Sequence, residues 1–494
     1  MTVLSGLHPG VLIRSAFAAI LSTPTLSAAY AQGTGGPTQP SQPAAPEVRQ
    51  GTAGGQSNKA GPYSGLLMSR SVLLGDPLGI QTRTAARGIS FGLAESAEVI
   101  GNLTGGTRRG AVFEGLLAMS VGLDTEKAGL WPDGIFNASA YQIHGRGLSL
   151  NNLANNGNTV SGLEALRGTL LFELWFEQYT PDKKLSVRIG QFAVDQEFLI
   201  SQYGGLFINH TFGWPTLPST NLPASGPSFP LAALGIRARY APTSATSILL
   251  GLFNGDAAGP GSGIPQTRDT SGTDFRLHDG LFAIGEVQYV HNGDGGAVGL
   301  PGTFKLGGWY NSLSFADQRF NSLGASLADP GNNPGQSSGH TRKGNWSVYG
   351  VADQLVGRKA DTKDQGIGVF ARLMGSPGDR NLVNFYADVG LTWKGAIAGR
   401  DSDTAGIAFG LARTSDSASA LDSDVRNFTG GTYPIRRHES VLELTYQAQI
   451  APWWQVQPTA QYVFNINGGV NNPLVPGRRL NDAAVLGLRT NITF

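Results

Sequence analysis

The chain of 494 residues contains no cysteine. That absence removes a disulfide scaffold, a thiolate zinc site and a cysteine nucleophile. Charge is also scarce. Asp, Glu, Lys and Arg make up 14% of the residues, against a usual share of about 25%. The 36 basic and 35 acidic residues nearly cancel. A nucleic-acid binder normally carries a basic surplus, so no nucleic-acid partner is expected. Apolar runs of about 18 residues, the length of a membrane-spanning helix, do not occur, so no mature transmembrane helix is expected. The seven histidines are scattered without metal-binding spacing, so neither a metal nor a cofactor is expected. What is plentiful is glycine, with 70 residues but no collagen period. Hydrophobic residues reach 40%, too many for a wholly disordered chain.

The first residues read as a secretory signal. His8 and Arg14 lead, no acid appears before Glu47, and a modest apolar stretch runs from Ala16 to Leu26, interrupted by Pro24. It ends in Ala29, Tyr30 and Ala31, a small-x-small pattern that suits signal peptidase, so residues 1–31 are expected to be cleaved. Residues 32–87 then form a leader rich in Pro, Gly and Gln with a lead-in to the main domain. Its first part, 32–62, cannot bury enough apolar surface to offset chain entropy and is expected to be flexible.

From residue 88 to 494 the dominant signal has period two. Ala484, Leu486, Leu488, Thr490, Ile492 and Phe494 alternate with Ala483, Val485, Gly487, Arg489, Asn491 and Thr493. A helix would repeat every 3.6 residues, so these are strands. Sixteen such segments lie near 88–102, 109–123, 131–144, 169–178, 184–192, 232–240, 246–253, 281–290, 303–310, 346–356, 366–374, 382–393, 404–411, 440–450, 454–465 and 484–494. The segments at 131–144 and 346–356 are ambiguous in phase. Most have the length of a tilted strand crossing a bilayer, about 9 to 11 residues.

The gaps alternate too. Tyr179 to Lys183, Ala241 to Ala245, Gly357 to Gln365 and Ala451 to Trp453 are short, and the longest gaps all follow odd-numbered segments, while 291–302, after an even-numbered one, is long for a turn. Short turns on one side and long loops on the other are the pattern of an outer-membrane barrel. The expected class is therefore all-β, a transmembrane antiparallel β-barrel of about 16 strands. Its short turns would face the periplasm and its long loops the exterior, in the outer membrane of a Gram-negative bacterium. Tyr179, Tyr240, Trp393, Trp453, Trp454 and Phe494 fall at the expected periplasmic ends and suggest a girdle at the lipid boundary.

The opposite strand faces are polar, with Glu286, Gln288, Arg372 and Asp388 among them. Charge on the lipid face is costly, so these faces must line a wet lumen. Glu173, Glu177, Arg188, Gln191, Arg237, Arg239, Glu443 and Gln447 are the candidates for the pore lining or its constriction. Arg188, Arg237 and Arg239 flank the longest loop. Neighbouring strands lie about 4.8 Å apart, so these arginines can meet Glu173 and Glu177 across the wall.

The segment from Leu185 to Phe192 is followed by Asp195 to Phe198, then by Leu206 to Pro215 and Pro227 to Ile236. This run resembles the carbohydrate-selective outer-membrane porins, the OprB-like family. Gly101 to Gly106 is similar to that family's first hairpin, and Glu443 to Tyr446, Pro452, Trp453, Gln457, Pro458, Gln461, Tyr462 and Leu486 to Arg489 match its end. The resemblance covers residues 88–494. It implies passive diffusion of small neutral sugars such as monosaccharides through a constricted channel in outer-membrane lipid. By analogy with porins, loop 193–231 would fold into the lumen. Phe207, Phe212 and Trp214 would then either stack on a sugar or pack the loop against the wall. Homotrimers are common among porins, so a homo-oligomer is compatible with the resemblance, but no interface is legible.

Enzymatic motifs are weak. Gly335, Ser337 and Gly339 match a hydrolase elbow formally but sit in a Gly/Pro/Asn-rich loop without the required strand–turn–helix setting. Asp401 to Gly406 starts like a calcium loop but lacks ligands at Ala405 and Ala412. No catalytic residue is expected. The competing classes are an outer-membrane barrel hydrolase and a receptor or adhesin barrel. The first needs an outward Ser–His pair, and the second needs a plug or passenger larger than the leader.

Overall fold

The computed structural model describes residues 67–155, 157–293, 299–360, 362 and 365–494. The signal segment and most of the leader lie outside the described residues. Sixteen antiparallel strands follow in order: β1 Ile89–Asn102, β2 Gly110–Asp124, β3 Gly134–Gly145, β4 Gly168–Tyr179, β5 Leu185–Phe192, β6 Ala233–Tyr240, β7 Thr246–Asn254 and β8 Leu281–His291. Then come β9 Gly302–Ala316, β10 Thr341–Arg358, β11 Gly366–Gly375, β12 Val383–Lys394, β13 Thr404–Thr414, β14 His438–Ala451, β15 Trp454–Phe464 and β16 Ala483–Thr493. Each pairs with its sequence neighbours, and β1 closes onto β16 from Ala94–Thr493 to Asn102–Val485. Closure leaves no edge, so every strand amide can be paired within hydrocarbon.

The period-two pattern sorts the wall. Leu250, Leu306, Leu373, Val389, Leu444 and Leu488 are exposed on the outer face. Such a surface suits lipid and not water. Two aromatic belts border it. Phe91, Phe136, Tyr240, Tyr289, Phe304 and Trp393 mark the periplasmic end, and Phe113, Tyr310, Trp346, Phe385 and Tyr462 the outer end. The expected girdle is thus partly redrawn. Tyr179 shares the inward face of Glu177, two residues before it on β4. Trp453 is buried and donates from Nε1 to Leu67 O at 2.7 Å.

The two ambiguous segments resolve differently. β3 keeps its own alternation, with Ser139, Tyr141 and Ile143 buried inward, and the register shift against β4 between Ser139 and Ala140 puts the extra residue, Phe172, on β4. β10 shifts register between Lys343 and Asn345 against β9, and between Leu355 and Gly357 against β11. A bulge inverts the face that each later residue presents, which blurs a period-two reading.

The lead-in lies at the periplasmic end. Helix α1, Ile80–Ala86, precedes β1. Leu73 N donates to Thr493 O at 2.8 Å, and Phe494 N to Leu93 O at 2.9 Å. On the outer side, helix α2, Thr216–Asn221, belongs to the β5–β6 loop and helix α3, Asp416–Thr429, to the β13–β14 loop.

The wall height is uneven. β5 and β6 have 8 residues each, whereas β9 has 15 and β10 has 18. Where β5 stops short of its neighbour, the β7–β8 loop straps the gap. Leu171 N donates to Ser271 O at 2.9 Å, and Gln191 Nε2 to Gly272 O at 2.8 Å.

Candidate functional site in the lumen

The β5–β6 loop, residues 193–232, turns into the barrel and crosses it. Its backbone groups leave regular structure in a crowded interior, where unpaired polar groups are costly. Inward side chains of the wall supply the partners. Glu173 accepts from Ala193 N at 3.1 Å, and Glu286 from Leu199 N at 2.9 Å and Tyr349 Oη at 3.0 Å. Asp353 accepts from Ser201 Oγ at 2.6 Å and Gln202 N at 3.0 Å. Glu443 accepts from Ile208 N at 2.8 Å, Asn209 N at 2.9 Å and Thr459 Oγ1 at 2.9 Å. These strands run from β4 round to β14, so the loop is held on several sides of the lumen.

Arg372 does the same for carbonyls. It is fully buried and donates to Leu199 O, Thr211 O, Phe212 O and Gly213 O at 2.8 to 3.1 Å, while its guanidinium pairs with Asp388 on β12. The planar fork of arginine carries five N–H donors in a fixed geometry, against three on the rotating ammonium of a lysine.

The loop also carries its own core. Phe207 and Phe212 lie 5.1 Å apart between ring centroids, and Phe207 lies 5.8 Å from Phe370 of β11. Trp214 Nε1 donates to Ser225 O at 2.9 Å. Phe207, Phe212 and Trp214 are 0%, 1% and 0% exposed. The three rings offer no open face on which a sugar can stack. They pack the loop against the wall, the second of the two roles the sequence leaves open.

A second inward loop, residues 146–167 between β3 and β4, rests on the first. Gly162 N donates to Ile208 O at 3.0 Å, and His210 N to Thr159 O at 3.1 Å. Asn155 and Asn158 donate to Glu439 at 2.9 and 2.8 Å. Glu164 accepts from Ser149 N at 2.8 Å and Ser149 Oγ at 2.7 Å. Burial lifts its carboxyl to about 7, helped by the charge of Glu98 and opposed by the Ser149 hydrogen bonds. Burial among the loops lowers His210 to about 4.

Four charges close a ring beside these loops. Arg188 meets Glu177 at 2.7 Å and Glu197 at 2.7 Å, and Arg237 meets the same two carboxylates at 3.0 and 2.5 Å. The register explains the meeting, since Glu177 stands opposite Arg188 and Arg188 opposite Arg237 on successive strands. The Arg188 guanidinium lies 3.7 Å over the Trp175 ring. The side chains of Arg188 and Glu197 keep 15% and 13% of their surface, whereas Arg237 and Glu177 keep 3% and 2%.

The sequence candidates therefore divide. Glu177, Arg188 and Arg237 come together. Glu173 stands apart from the ring, bonded to Ala193 N and Trp175 Nε1. Arg239 donates to Ser247 Oγ at 3.0 Å. Gln447 donates to Gln457 Oε1 at 3.2 Å, and Gln457 in turn to Leu206 O at 2.7 Å. Gln191 stands opposite Leu174, on the face away from Glu177, and serves the strap. Glu197, Asp353 and Glu439 were not singled out from sequence. Glu197 lies within the family-like run at 195–198, but only the inward fold of its loop brings it to two arginines on β5 and β6. Among the described residues no group of three His, Cys, Asp or Glu side chains could hold a metal ion. The Gly335–Gly339 stretch forms a short turn at Pro334–Gln336.

The model of the carbohydrate-selective porin family, OprB, matches residues 108–494. The chain belongs to that family. Porin B of Pseudomonas aeruginosa is 25% identical over 430 residues, which cover 83% of this chain and 90% of that protein. The high-pH structure of Pseudomonas putida OprB superposes with a TM-score of 0.75 at 22% identity, covering 86% of this chain and 99% of that one. The low-pH structure of the same protein gives 0.52 at 18% identity, with the same coverage. As an OprB-family porin, the chain is an outer-membrane β-barrel channel.

Proposed function

We propose that this porin passes small neutral sugars, monosaccharides foremost, by diffusion through a passage between its inward loops and the β4–β6 wall. The observation that carries the reading is the ion ring. Two of its members stay partly open to solvent while two are buried behind them. Arg188 offers hydrogen-bond donors and Glu197 acceptors, side by side and fixed by their partners. A hydroxyl-rich solute can exchange water for both. The ring has no net charge, so it gives no ion a strong reason to dwell there. Arg237 and Glu177 are positioning residues in this reading. Glu173, Glu443 and Gln447 keep the loops in place, and Arg239 lines the wall below. No reaction is part of the proposal; solutes move down their gradient through a barrel surrounded by outer-membrane lipid.

Liposome swelling tests this. Purified protein in vesicles is challenged with glucose and with a disaccharide. Wild-type protein should favour glucose strongly. Arg188→Ala and Glu197→Ala should each lower that preference several-fold. An unchanged ratio in the double variant would remove the ring from the selectivity mechanism.

A further inference from the structure

Residues 67–87 lie outside the barrel wall but are tied to its periplasmic rim. Trp453 Nε1 donates to Leu67 O at 2.7 Å, Leu73 N to Thr493 O at 2.8 Å, and Asp124 N to Gly88 O at 3.2 Å. The segment therefore runs along the rim from the β14–β15 turn, past the end of β16, to the feet of β1 and β2. Helix α1 leads through Arg87 and Gly88 into β1, whose exposed Phe91 belongs to the periplasmic aromatic belt. The lead-in is thus held near the height at which the wall leaves hydrocarbon for headgroups.

The side chains of the segment suit that height and not water. Leu67, Met68, Leu74, Leu78 and Ile80 are all exposed, Leu78 at 81%. Leu78 also has φ +62°, a left-handed backbone that costs any leucine free energy. The turn between Pro77 and Gly79 holds this apolar side chain outward, and no burial against the described residues offsets the strain. Charge points the same way. The segment carries Arg70, Arg83 and Arg87 against one acid, Asp76. Asp76 is occupied with the start of α1, accepting from Gln81 N at 2.8 Å and Thr82 N at 3.1 Å. Ile80, Arg83 and Arg87 are spaced by three and four, so they share one stripe of α1 and its C-cap. Arg83 donates to Leu78 O and Gly79 O, which draws a cation beside the exposed leucine and leaves it donors to spare.

We propose that residues 67–87 dock on the periplasmic leaflet of the outer membrane, with its phospholipid as the partner. Leu74, Leu78 and Ile80 enter the boundary between headgroups and acyl chains, and Arg83 and Arg87 meet the lipid phosphates. An apolar edge beside cations is how a short segment lies in the plane of an interface. The stems of both arginines cover apolar surface while their heads stay wet, and the planar guanidinium suits phosphate. Two observations select lipid as the occupant. The exposed apolar side chains continue the lipid-facing belt at Phe91, and the positive surplus matches anionic headgroups.

The absence of native cysteine makes the test clean. Leu78→Cys carries an environment-sensitive fluorophore in the full mature chain, and Leu74→Cys gives a second position should the strained turn not tolerate the first. Lys184→Cys, in the exposed β4–β5 turn, marks water, and Leu306→Cys, on the outer wall, marks lipid. The proteins are reconstituted into vesicles of phosphatidylcholine, with or without an equal share of phosphatidylglycerol. Quenchers are a phospholipid with a nitroxide high on its acyl chain, and iodide on both sides of the membrane. The proposal expects the Leu78→Cys probe to be quenched by the nitroxide lipid several-fold more than the Lys184→Cys probe, and by iodide several-fold less. Phosphatidylglycerol should strengthen the lipid quenching, and adding Arg83→Gln and Arg87→Gln should remove that gain. Heat-modifiable gel migration and conductance should stay unchanged, showing that the barrel is intact. Quenching at 74 and 78 equal to that at 184, shielding from both quenchers, which would put protein over the segment, or lipid quenching indifferent to phosphatidylglycerol and to both arginines would each overturn the proposal.

Discussion

Replacing Arg372 by Met separates the barrel from its contents. The β11–β12 ladder stays in place, because Arg372 and Asp388 meet through side chains while their backbones remain registered. Met keeps much of the length and apolar bulk but has no donor. Four carbonyls of the β5–β6 loop lose their partner. Asp388 keeps only the Tyr386 hydroxyl, at 2.8 Å. Removing one member of a buried ion pair costs about 3–5 kcal/mol. A tenfold change in population corresponds to about 1.4 kcal/mol. The loop should thus shift toward released states by on the order of a hundredfold to several thousandfold. The carbonyl losses belong to the same event and are not added again, since contributions within one network are not additive. In planar bilayers the variant should show a larger and noisier conductance. In liposomes it should admit disaccharides that the wild type excludes. Protease added from outside should cut within residues 193–232. Asp388→Asn, which keeps an acceptor beside Arg372, should do less. A folded Arg372→Met protein with wild-type conductance and size limit would refute the view that this arginine seats the loop.

The other expectations concern the loops and the strap. Deprotonating Glu164 costs more in the seated loop, where its pKa is about 7, than in a free one at 4.5. Seating of residues 146–167 is therefore strongest below pH 4.5 and weakens as pH rises through about 7. Amide exchange corrected for intrinsic rate should quicken there from pH 5 to 8, and Glu164→Gln should flatten the trend. His210 works in the opposite sense. Its pKa falls from 6.5 to about 4 in the seated loop, so its contribution is present above pH 6.5 and is lost as pH falls toward 4. His210→Gln should remove that part of the acid-induced exchange in residues 206–214. Gly272 has φ +65°, and a Cβ there would lie 1.9 Å from Leu171 O. Gly272→Ala should cost about 1–2 kcal/mol from the backbone alone, raise proteolysis of residues 255–280, and leave heat-modifiability unchanged.

The sequence made the barrel legible because lipid and water impose opposite demands on alternate residues. The sixteen alternating segments lie within a few residues of the observed strands, and the largest differences are at β9 and β10, which extend beyond them to Ala316 and from Thr341. Those strands continue above the membrane through Ser312, Ser314, Arg342 and Lys343. There the outward face meets water, so the alternation that defines the strand disappears. Gln191 was misleading for a related reason. A polar residue on a lipid-facing position reads as inward until the strap that covers it is known.

Direction into the lumen was legible, but its purpose was not. Glu443, Glu286 and Glu173 all point inward, and each is consumed by amides of one loop. Alternation tells only that a carboxylate must avoid lipid; it cannot tell water from a folded-in segment that also wants acceptors. The distinction lies in how much surface each group keeps after the loop is seated. By that measure Arg188 and Glu197 keep more open surface than the carboxylates on β8, β10 and β14. The near-equality of acids and bases in the composition then has a physical origin. Opposite charges are matched inside the lumen, as in the ring and the Arg372–Asp388 and Arg489–Glu98 pairs. A channel for an ionic solute would instead need a surplus of one sign left open along its path.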